Sequence, residues 1–334
     1  MTLQPNVLIL TEAMAATGLG HLSRCQALKA AFEEAGCPVT VWLNSDGDVR
    51  AQVGEVGYLH GDWRLRPDLL TAAGAYPIVV ADSYLASDEL LLALAERVQV
   101  PVFLDDTVRM AYPRGVVVNG APGAENLPYA PNESCYFCLG PAYAHLRPPF
   151  LATKSYSVRE QVTKLLVSLG ATPPISVLNG LLEGLHTRMP DQNLVAVVPS
   201  GYAYSKKLPS SLLLLNGLSA EGMFQTMQET DLAVAAGGQT LLELVRVGVP
   251  TVAWAFAPNQ RPNVVGLSDR GAVYALPESA TIQQVADAAF VLSNSYNQRQ
   301  LLNTSCEAVF SDYNPQRLPE LVLRLVQYPQ WQPN

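Results

Sequence analysis

A histidine directly follows a glycine-rich turn in the stretch "TGLGHLSRC" (17–25). Glycines such as Gly20 let the backbone approach a ligand closely, and His21 opens a segment whose pattern predicts a helix. Because the positive end of a helix dipole disfavours an imidazolium ion, we expect a neutral His21 that can accept a proton. Arg24 lies one turn further along roughly the same face. A histidine that only caps the turn is the alternative, and the spacing alone leaves both open.

A second glycine turn lies in "AAGGQTLLELVRVGVP" (235–250). Gly238 ends a predicted strand, and Gln239 and Thr240 open a helix whose first amides would point at an anion, ideally a diphosphate. Glu243 follows one turn later, where a carboxylate can accept hydrogen bonds from a ribose diol. A simple strand–helix turn, with Glu243 merely favouring the helix N-terminus, is the alternative. The later "PNQ" (258–260) strengthens the ligand-binding interpretation.

Two adjacent carboxylates, Asp105 and Asp106, follow another predicted strand. Adjacent residues of an extended chain point to opposite sides, so we expect one of them, Asp105, to face the site and no proton to be shared. Bracing of the loop is the alternative role for this pair. No histidine or carboxylate cluster with metal-ligand spacing accompanies them, and we therefore predict no metal site.

Two further patterns are weak. Cys135 and Cys138 match C-x-x-C, but no second ligand pair for zinc is visible, and the run is predicted to be a strand rather than a helix N-terminus. A dinucleotide fingerprint would need a third glycine where Ser23 stands, so an NAD site is disfavoured. We expect the remaining histidines to be surface or packing residues: His60, His145 and His186.

Strand and helix patterns alternate from "NVLILT" (6–11) to "GVVVNG" (115–120), and they restart at "VTKLLVSLG" (162–170). This alternation predicts parallel sheets covered by helices, in two Rossmann-like domains that face each other. The proline-containing stretch near 145–160 predicts a linker, which places the domains at 1–150 and 151–334. The last helix is expected to belong to the second domain or to pack back on the first. In such sheets ligands bind beyond the carboxyl ends of the strands.

The composition excludes several classes of protein. Charged residues are 15% of the chain, hydrophobic residues are 49%, and the net charge is −8. Because no lysine or arginine cluster is present, we expect no nucleic-acid partner. The sequence has no apolar run of about 18 residues and no signal-peptide pattern, so we expect a cytoplasmic protein without a transmembrane segment. The five cysteines are widely spread, which predicts free thiols.

The motifs "GLGHLSRCQAL", "ADSY", "LDDTVR", "LGPAYAHLRPPF" and "AAGGQTLLELVRVGVP…PNQ" occur in this order over residues 6–270. Together they resemble the UDP-2,4-diacetamido-2,4,6-trideoxy-β-L-altropyranose hydrolases of pseudaminic acid biosynthesis. They also resemble related predicted glycosyltransferases of spore-coat polysaccharide loci. The last motif is similar to a wider set of GT-B enzymes that includes the lipid II-forming glucosaminyltransferase.

The resemblance implies a GT-B fold: an α/β architecture of two Rossmann-like domains facing across a cleft, with UDP held mainly by the C-terminal one. It implies that His21 activates a water, that UDP leaves with inversion at the anomeric carbon, and that neither metal nor cofactor takes part. The implied UDP-binding residues are Gly20, Gly170, Gly238, Gln239, Thr240, Glu243, Asn259 and Gln260. The implied sugar-binding residues are Arg24, Asp82, Tyr84, Asp105, Asn119, Tyr143 and Arg147.

Two segments depart from the family pattern. The family's G-G-x-D turn is "SLGATPP" here, which retains Gly170 but has Ala171 at the second glycine and lacks the acid. The segment "TEAMAATG" (11–18) also differs from the family's entrance, which is richer in serine and aspartate. These departures concern the exact sugar and diphosphate contacts rather than the general class.

Three functions remain as hypotheses. The leading one is hydrolysis of a UDP-linked amino or deoxy sugar, which releases UDP and the free sugar. The alternative is a UDP-sugar-dependent glycosyltransferase of cell-surface polysaccharide or glycan synthesis, in which a sugar or lipid hydroxyl replaces water. A non-catalytic nucleotide-sugar sensor would keep the turn at Glu243 and have no use for His21.

Overall fold

The computed structural model describes residues 4–14, 18–47, 57–151, 156–170, 173–199, 201–202, 204, 209–255 and 257–328. The chain divides into two compact units. The first is Met1–Arg147 together with Tyr313–Asn334, and the second is Pro148–Asp312.

The first unit contains a parallel sheet with the strand order β3-β2-β1-β4-β5-β6-β7. Its strands are β1 (Val7–Ala13), β2 (Val39–Ser45), β3 (Tyr58–His60), β4 (Ile78–Asp82), β5 (Val100–Leu104), β6 (Gly115–Asn119) and β7 (Cys135–Leu139). Every residue of β1, β4, β5 and β6 is buried. Continuous apolar runs are typical of parallel strands that are covered on both faces.

Helices cover this sheet: α1 (Gly20–Glu34), α2 (Leu69–Ala73) and α3 (Asp88–Arg97). One core packs on the α1 side and includes Phe32 and Leu28, and a second core on the other face includes Trp63 and Leu94. Ser87 caps α3 by accepting a hydrogen bond from the backbone N–H of Leu90. Serine is among the residues preferred at this position, because its side-chain oxygen satisfies an N–H group of the first helical turn.

The second unit repeats the strand order of the first, with β10-β9-β8-β11-β12-β13, again all parallel. Its strands are β8 (Lys164–Ser168), β9 (Asn193–Val197), β10 (Leu212–Leu215), β11 (Leu232–Ala235), β12 (Thr251–Trp254) and β13 (Tyr274–Leu276). Its helices are α4 (Ile175–Arg188), α5 (Ala220–Gln228), α6 (Gln239–Val247), α7 (Arg261–Asp269), α8 (Ile282–Ser293) and α9 (Tyr296–Val309). In both units the order reverses beside the first strand, and ligands of doubly wound sheets bind at such switch points.

The sequence does not predict the short elements β3, α2 and β13. Strands β3 and β13 have three residues each and lie at sheet edges. A segment of that length carries too few residues for a hydrophobic period to show. Pairing with β2 and β12 is what makes these segments strands.

The last helix, α10 (Arg317–Gln327), belongs to the first unit. Its buried residues Leu318, Val322 and Leu325 follow helical spacing and join the core that contains Phe32. The Gln99 side chain donates a hydrogen bond of 2.8 Å to the carbonyl oxygen of Val326. The residues that complete the first core therefore follow the second unit along the chain.

None of the described helices is long and apolar enough to cross a membrane.

Candidate active site

The switch point of the first sheet holds His21, the second residue of α1, and Asp82, the last residue of β4. The imidazole is 3% exposed, and its Nδ1 lies 2.6 Å from Asp82 Oδ1. A carboxylate only accepts hydrogen bonds, so this contact requires the proton on Nδ1. The neutral imidazole then keeps its lone pair on Nε2, as a general base needs.

Arg24, one turn after His21 in α1, binds the Asp82 carboxylate through two hydrogen bonds. Its Nε donates to Asp82 Oδ2 at 2.6 Å, and its Nη2 donates to Oδ1 at 2.5 Å. Its Nη1 donates to both oxygens of Asp106 at 2.7 Å. The sequence predicts a sugar contact for Arg24, whereas the structure commits its guanidinium to these two carboxylates.

The charges set the ionisation of this cluster. Burial alone would raise the pKa of Asp82, but the Arg24 guanidinium and His21 outweigh it and hold that pKa well below its usual range. Asp106 follows the same pattern: burial opposes ionisation, and Arg24 together with the Tyr84 hydroxyl lowers the pKa of its carboxyl. Both groups are therefore carboxylates at neutral pH.

Tyr84, for which the resemblance implies a sugar contact, also belongs to this cluster. Its hydroxyl donates to Asp106 Oδ2 at 2.5 Å, and its ring meets the His21 ring edge-on with centroids 4.3 Å apart. Of the predicted sugar-binding residues, the structure thus brings Arg24, Asp82 and Tyr84 together around His21.

Glu12, in β1, is a member of this cluster that the sequence analysis missed. Its side chain is fully buried, and Oε1 lies 3.9 Å from His21 Nε2. The Ser83 hydroxyl donates to Oε2, and the backbone N–H of Tyr84 donates to Oε1 at 3.1 Å. A charged residue inside an otherwise apolar strand was the available signal, because such a residue is rarely buried without a partner.

Asp105 does not face His21, and the expectation that it is the member of the pair that faces the site is wrong. Its Oδ1 accepts the backbone N–H of Thr107 at 3.0 Å, and its Oδ2 accepts that of Val108 at 2.9 Å. Val108 has a φ of +55°, which is costly for a β-branched residue. Asp105 therefore braces a strained loop, and Asp106 is the carboxylate that reaches the cluster.

Three other predicted sugar-binding residues lie outside the His21 contacts. Asn119 donates to the Tyr129 hydroxyl at 3.0 Å and accepts the backbone N–H of Ala121, which holds its own loop. Tyr143 packs under the Arg317 guanidinium of α10, 5.7 Å from the ring centroid. Arg147 is partly buried at the end of the first unit.

His145 is a second histidine with an electrostatic link to the cluster. Burial and then the Arg24 guanidinium lower the pKa of His145 to about 4, against the opposing carboxylates of Asp82 and Asp106. His145 is half-buried, which agrees with the expected packing role, and the charge of Arg24 adds to the effect of burial on its pKa.

The switch point of the second sheet carries the predicted anion turn. Gly170 follows β8 and has a φ of +88°. The backbone N–H of Ala236, directly after β11, donates to the carbonyl oxygen of Ser168 at the end of β8, at 3.0 Å. Gly238 is the N-cap of α6, and Gln239 and Thr240 form its first turn, as the sequence predicts. A Cβ added to Gly238 would meet no atom within 4 Å, so this helix end is open. Ala171, where the sequence departs from the family's G-G-x-D turn, lies outside the described residues.

The "PNQ" segment packs directly against this turn. Asn259 and Gln260 belong to a 3-10 turn, Pro258–Gln260, that precedes α7. A Cβ on Gly237 would fall 2.6 Å from the Gln260 carbonyl oxygen, and Asn263 donates to the Gly237 carbonyl at 2.8 Å. The glycine is therefore required by close backbone packing, which holds the two predicted segments side by side.

Glu243 is fully buried in α6. Its neighbours on the helix, Leu242 and Leu244, are buried as well. A ribose contact by this carboxylate would require the ligand to reach an enclosed position. Gly20 is also a predicted UDP contact, but it lies in the first unit, where it is the first residue of α1.

The cysteines carry no site in the described part of the chain. All five are buried free thiols. Cys135 and Cys138 point to opposite faces of β7, into different cores, and burial raises the pKa of each to about 12. Among the described residues, no group of three or more histidine, cysteine or carboxylate side chains could hold a metal ion.

Several curated proteins are similar in sequence, although no family model matches the chain. An uncharacterized protein of Methanocaldococcus jannaschii is 23% identical over 274 residues, 74% of this chain and 54% of that protein. The spore coat polysaccharide biosynthesis protein SpsG of Bacillus subtilis is 22% identical over 80% of this chain and 84% of its own length. The Helicobacter pylori pseudaminic acid cytidylyltransferase and UDP-2,4-diacetamido-2,4,6-trideoxy-beta-L-altropyranose hydrolase is 20% identical over 76% of this chain. The match spans 45% of that last protein.

Solved structures match over nearly the whole chain. The spinosyn rhamnosyltransferase SpnG has a TM-score of 0.66 at 13% identity, covering 96% of this chain and all of that one. The MurG protein of Acinetobacter baumannii has a TM-score of 0.60 at 16% identity, covering 97% and 99%. The fold is GT-B. This agrees with the two parallel sheets, in which six strands of each follow the same order, and confirms the predicted fold class.

Proposed function

We propose that this GT-B protein is an enzyme that transfers a sugar from UDP to a hydroxyl acceptor, with His21 as general base. The observation that carries the proposal is the 2.6 Å contact between His21 Nδ1 and Asp82 Oδ1, which leaves Nε2 to accept a proton. The glycosyltransferases among the similar structures support transfer as the reaction class. SpsG, a polysaccharide biosynthesis protein, supports a carbohydrate acceptor.

In this proposal the acceptor O–H gives its proton to Nε2 while its oxygen attacks the anomeric carbon. The bond from that carbon to the diphosphate oxygen breaks, and UDP leaves with the electron pair. A single displacement inverts the configuration. A positioned base contributes about 10²–10⁴ to such a rate. Asp82 holds the ring and stabilises the imidazolium, and Arg24 fixes Asp82.

The second unit supplies the proposed UDP site. The open N-terminus of α6 at Gly238, Gln239 and Thr240 offers backbone N–H groups to the diphosphate. Gly170, Asn259 and Gln260 flank it, and Glu243 is proposed to take the ribose diol. The remaining sugar-binding proposals are Asp82 and Tyr84 beside His21, with Asn119, Tyr143 and Arg147 further away.

Hydrolysis is the second candidate, because one relative named a UDP-sugar hydrolase matches 76% of this chain. The two reactions differ only in whether water or an acceptor hydroxyl reaches Nε2. The deciding experiment incubates the purified protein with a panel of UDP-sugars, first alone and then with carbohydrate and lipid acceptors. Release of UDP that requires an acceptor and yields a glycoside supports transfer. Equal release of UDP and free sugar without acceptor supports hydrolysis, and UDP-sugar binding without release contradicts both.

A further inference from the structure

Both carboxyl oxygens of Glu12 accept hydrogen bonds from the loop after β4. The Ser83 Oγ accepts the backbone N–H groups of Leu85 and Ala86, both at 3.0 Å. Its lone pairs are then used, and its own proton goes to Glu12 Oε2. The backbone N–H of Tyr84 can only donate, and it donates to Oε1. Both oxygens of Glu12 therefore act as hydrogen-bond acceptors, as the oxygens of a carboxylate do.

This carboxylate lies beside the nitrogen of His21 that Asp82 does not occupy. Glu12 Oε1 is 3.9 Å from Nε2, which is beyond hydrogen-bond length. With the proton on Nδ1, both facing atoms are acceptors, so they gain nothing from each other in the neutral state. Both side chains are buried, at 0% and 3% exposure, and solvent screens them little. Attraction begins once Nε2 is protonated.

We infer that Glu12 is a positioning residue whose carboxylate stabilises the imidazolium formed when Nε2 takes the proton of the attacking group. This inference deepens the proposed function and rests on His21 as the base. The acceptor O–H bond breaks, an N–H bond forms at Nε2, and the electron pair of the oxygen goes to the anomeric carbon. Glu12 and Asp82 then flank the imidazolium at its two nitrogens.

Other charged groups act on the same ring. On α1 itself, Arg24 Nη2 lies 3.0 Å from Nδ1 and opposes protonation, as does the helix N-terminus. Asp82 on β4 favours protonation. The Tyr84 ring, after β4, is uncharged, and the Cys25 thiol, whose pKa burial raises, donates to Asp82 at 3.3 Å.

The groups behind Arg24 complete this balance. Asp106 reaches the ring only through Arg24, whose charge it offsets. His145, neutral at pH 7 with its lowered pKa, adds no charge. Arg64, in the 3-10 turn Trp63–Leu65, interacts electrostatically with Glu12 and offsets part of its charge. Glu12 faces Nε2 with a carboxyl oxygen at 3.9 Å.

The test follows the titration of the four histidines by NMR in the full chain, without any nucleotide sugar. The His21 signal is assigned by its loss in His21→Asn. Since an opposite charge within about 4–6 Å favours the charged form by about one unit or more, Glu12→Gln should move the His21 midpoint about one pH unit lower. The matched control Ser83→Ala removes the same loop hydrogen bond but keeps the carboxylate. Its midpoint should stay within a few tenths of a unit of wild type.

A Glu12→Gln midpoint equal to that of wild type, or an equal shift in Ser83→Ala, overturns the inference and leaves Glu12 as a loop brace. If Glu12→Gln does not fold, the wild type decides. The Cδ resonance of Glu12 should then show a step at the pH where His21 titrates, and a flat Cδ signal through that range overturns the inference. Because no substrate is present, a failure of the UDP-sugar panel and a failure of this coupling are separate results.

Discussion

In the first unit the candidate site consists of side chains, whereas in the second unit the candidate site is mainly backbone. Hydrogen bonds that span up to 82 residues of sequence join the side chains of the first site: His21, Arg24, Asp82, Tyr84 and Asp106. The turn before α6 instead offers the backbone N–H groups of a helix end, and its N-cap Gly238 has no side chain that could cap the helix.

This difference separates how the two sites should fail. A side-chain cluster loses both chemistry and stability when one member is removed, because the others stay buried without a partner. A backbone site keeps its donors through most substitutions and fails when a new atom fills its space. Substitutions in the cluster of the first unit should therefore lower stability together with activity. Substitutions at the turn of the second unit should lower ligand binding without lowering stability.

The largest effect is expected for His21→Asn. Asparagine can hydrogen-bond a nucleophile but cannot take its proton at neutral pH, so kcat should fall about 10²–10⁴-fold. UDP affinity should be nearly unchanged, because the proposed UDP contacts lie in the second unit. The measurement is kcat on the UDP-sugar that the wild type turns over, with UDP affinity by calorimetry. Near-normal turnover would make His21 a structural cap and end its assignment as the base.

Arg24→Leu should cost stability as well as activity. It leaves Asp82, which is fully buried, without its counter-charge, and breaking a buried ion pair from one side costs about 3 kcal/mol or more. The matched control is Arg66→Leu, whose ion pair with Asp68 is solvent-exposed. Urea unfolding of both variants makes the comparison. Equal midpoints for the two variants would show that the cluster does not hold the first unit together.

Gly238→Ala, in the second unit, should weaken UDP binding without changing stability. Its new methyl group meets no protein atom within 4 Å, and its φ of −91° suits alanine, so the melting temperature should not change. If a diphosphate binds there, UDP affinity should fall about tenfold, which corresponds to about 1.4 kcal/mol. Gly237→Ala is the control, since its methyl group would collide with the Gln260 carbonyl and lower the melting temperature. Unchanged UDP affinity in Gly238→Ala places the diphosphate elsewhere.

The smallest effect is a pH dependence of stability from His145. Its pKa is lowered from 6.5 to about 4 in the folded protein. Between these values the unfolded chain binds more protons, so stability falls as the pH drops from about 6.5 to about 4. Thermal unfolding should show His145→Gln with a flatter slope over this range than wild type. The control His60→Gln removes an exposed histidine and should keep the wild-type slope; a flattened slope there would contradict the assignment.

The fold was predictable because its signals are local and repeated. Apolar runs such as 7–11, followed by helical patterns, indicate parallel α/β units without any knowledge of contacts. The helix starts at Gly20 and Gln239 were also predictable, since a glycine turn before an apolar period marks a helix N-terminus. The edge strand β13 was not predictable, because three residues carry no period of their own.

The cluster was only half predictable. Asp82 and Tyr84 follow from the rule that polar residues after parallel strands collect at one edge of the sheet. That rule does not state which of Asp105 and Asp106 turns toward His21, because the loop bend after β5 decides it. Nor does it reach Glu12, which sits inside β1 and faces the site through the pleat of the strand.

The sequence by itself determined the longer strands and helices, their parallel α/β arrangement and the positions where a proton acceptor and an anion turn can lie. These properties depend on neighbours within a few residues, where helical and strand periods act. Only the tertiary structure decided that Arg24 braces Asp82, that Glu12 faces Nε2, and that Glu243 is enclosed. Each of these depends on atoms from distant segments meeting within a few ångströms, and no local pattern records such a meeting.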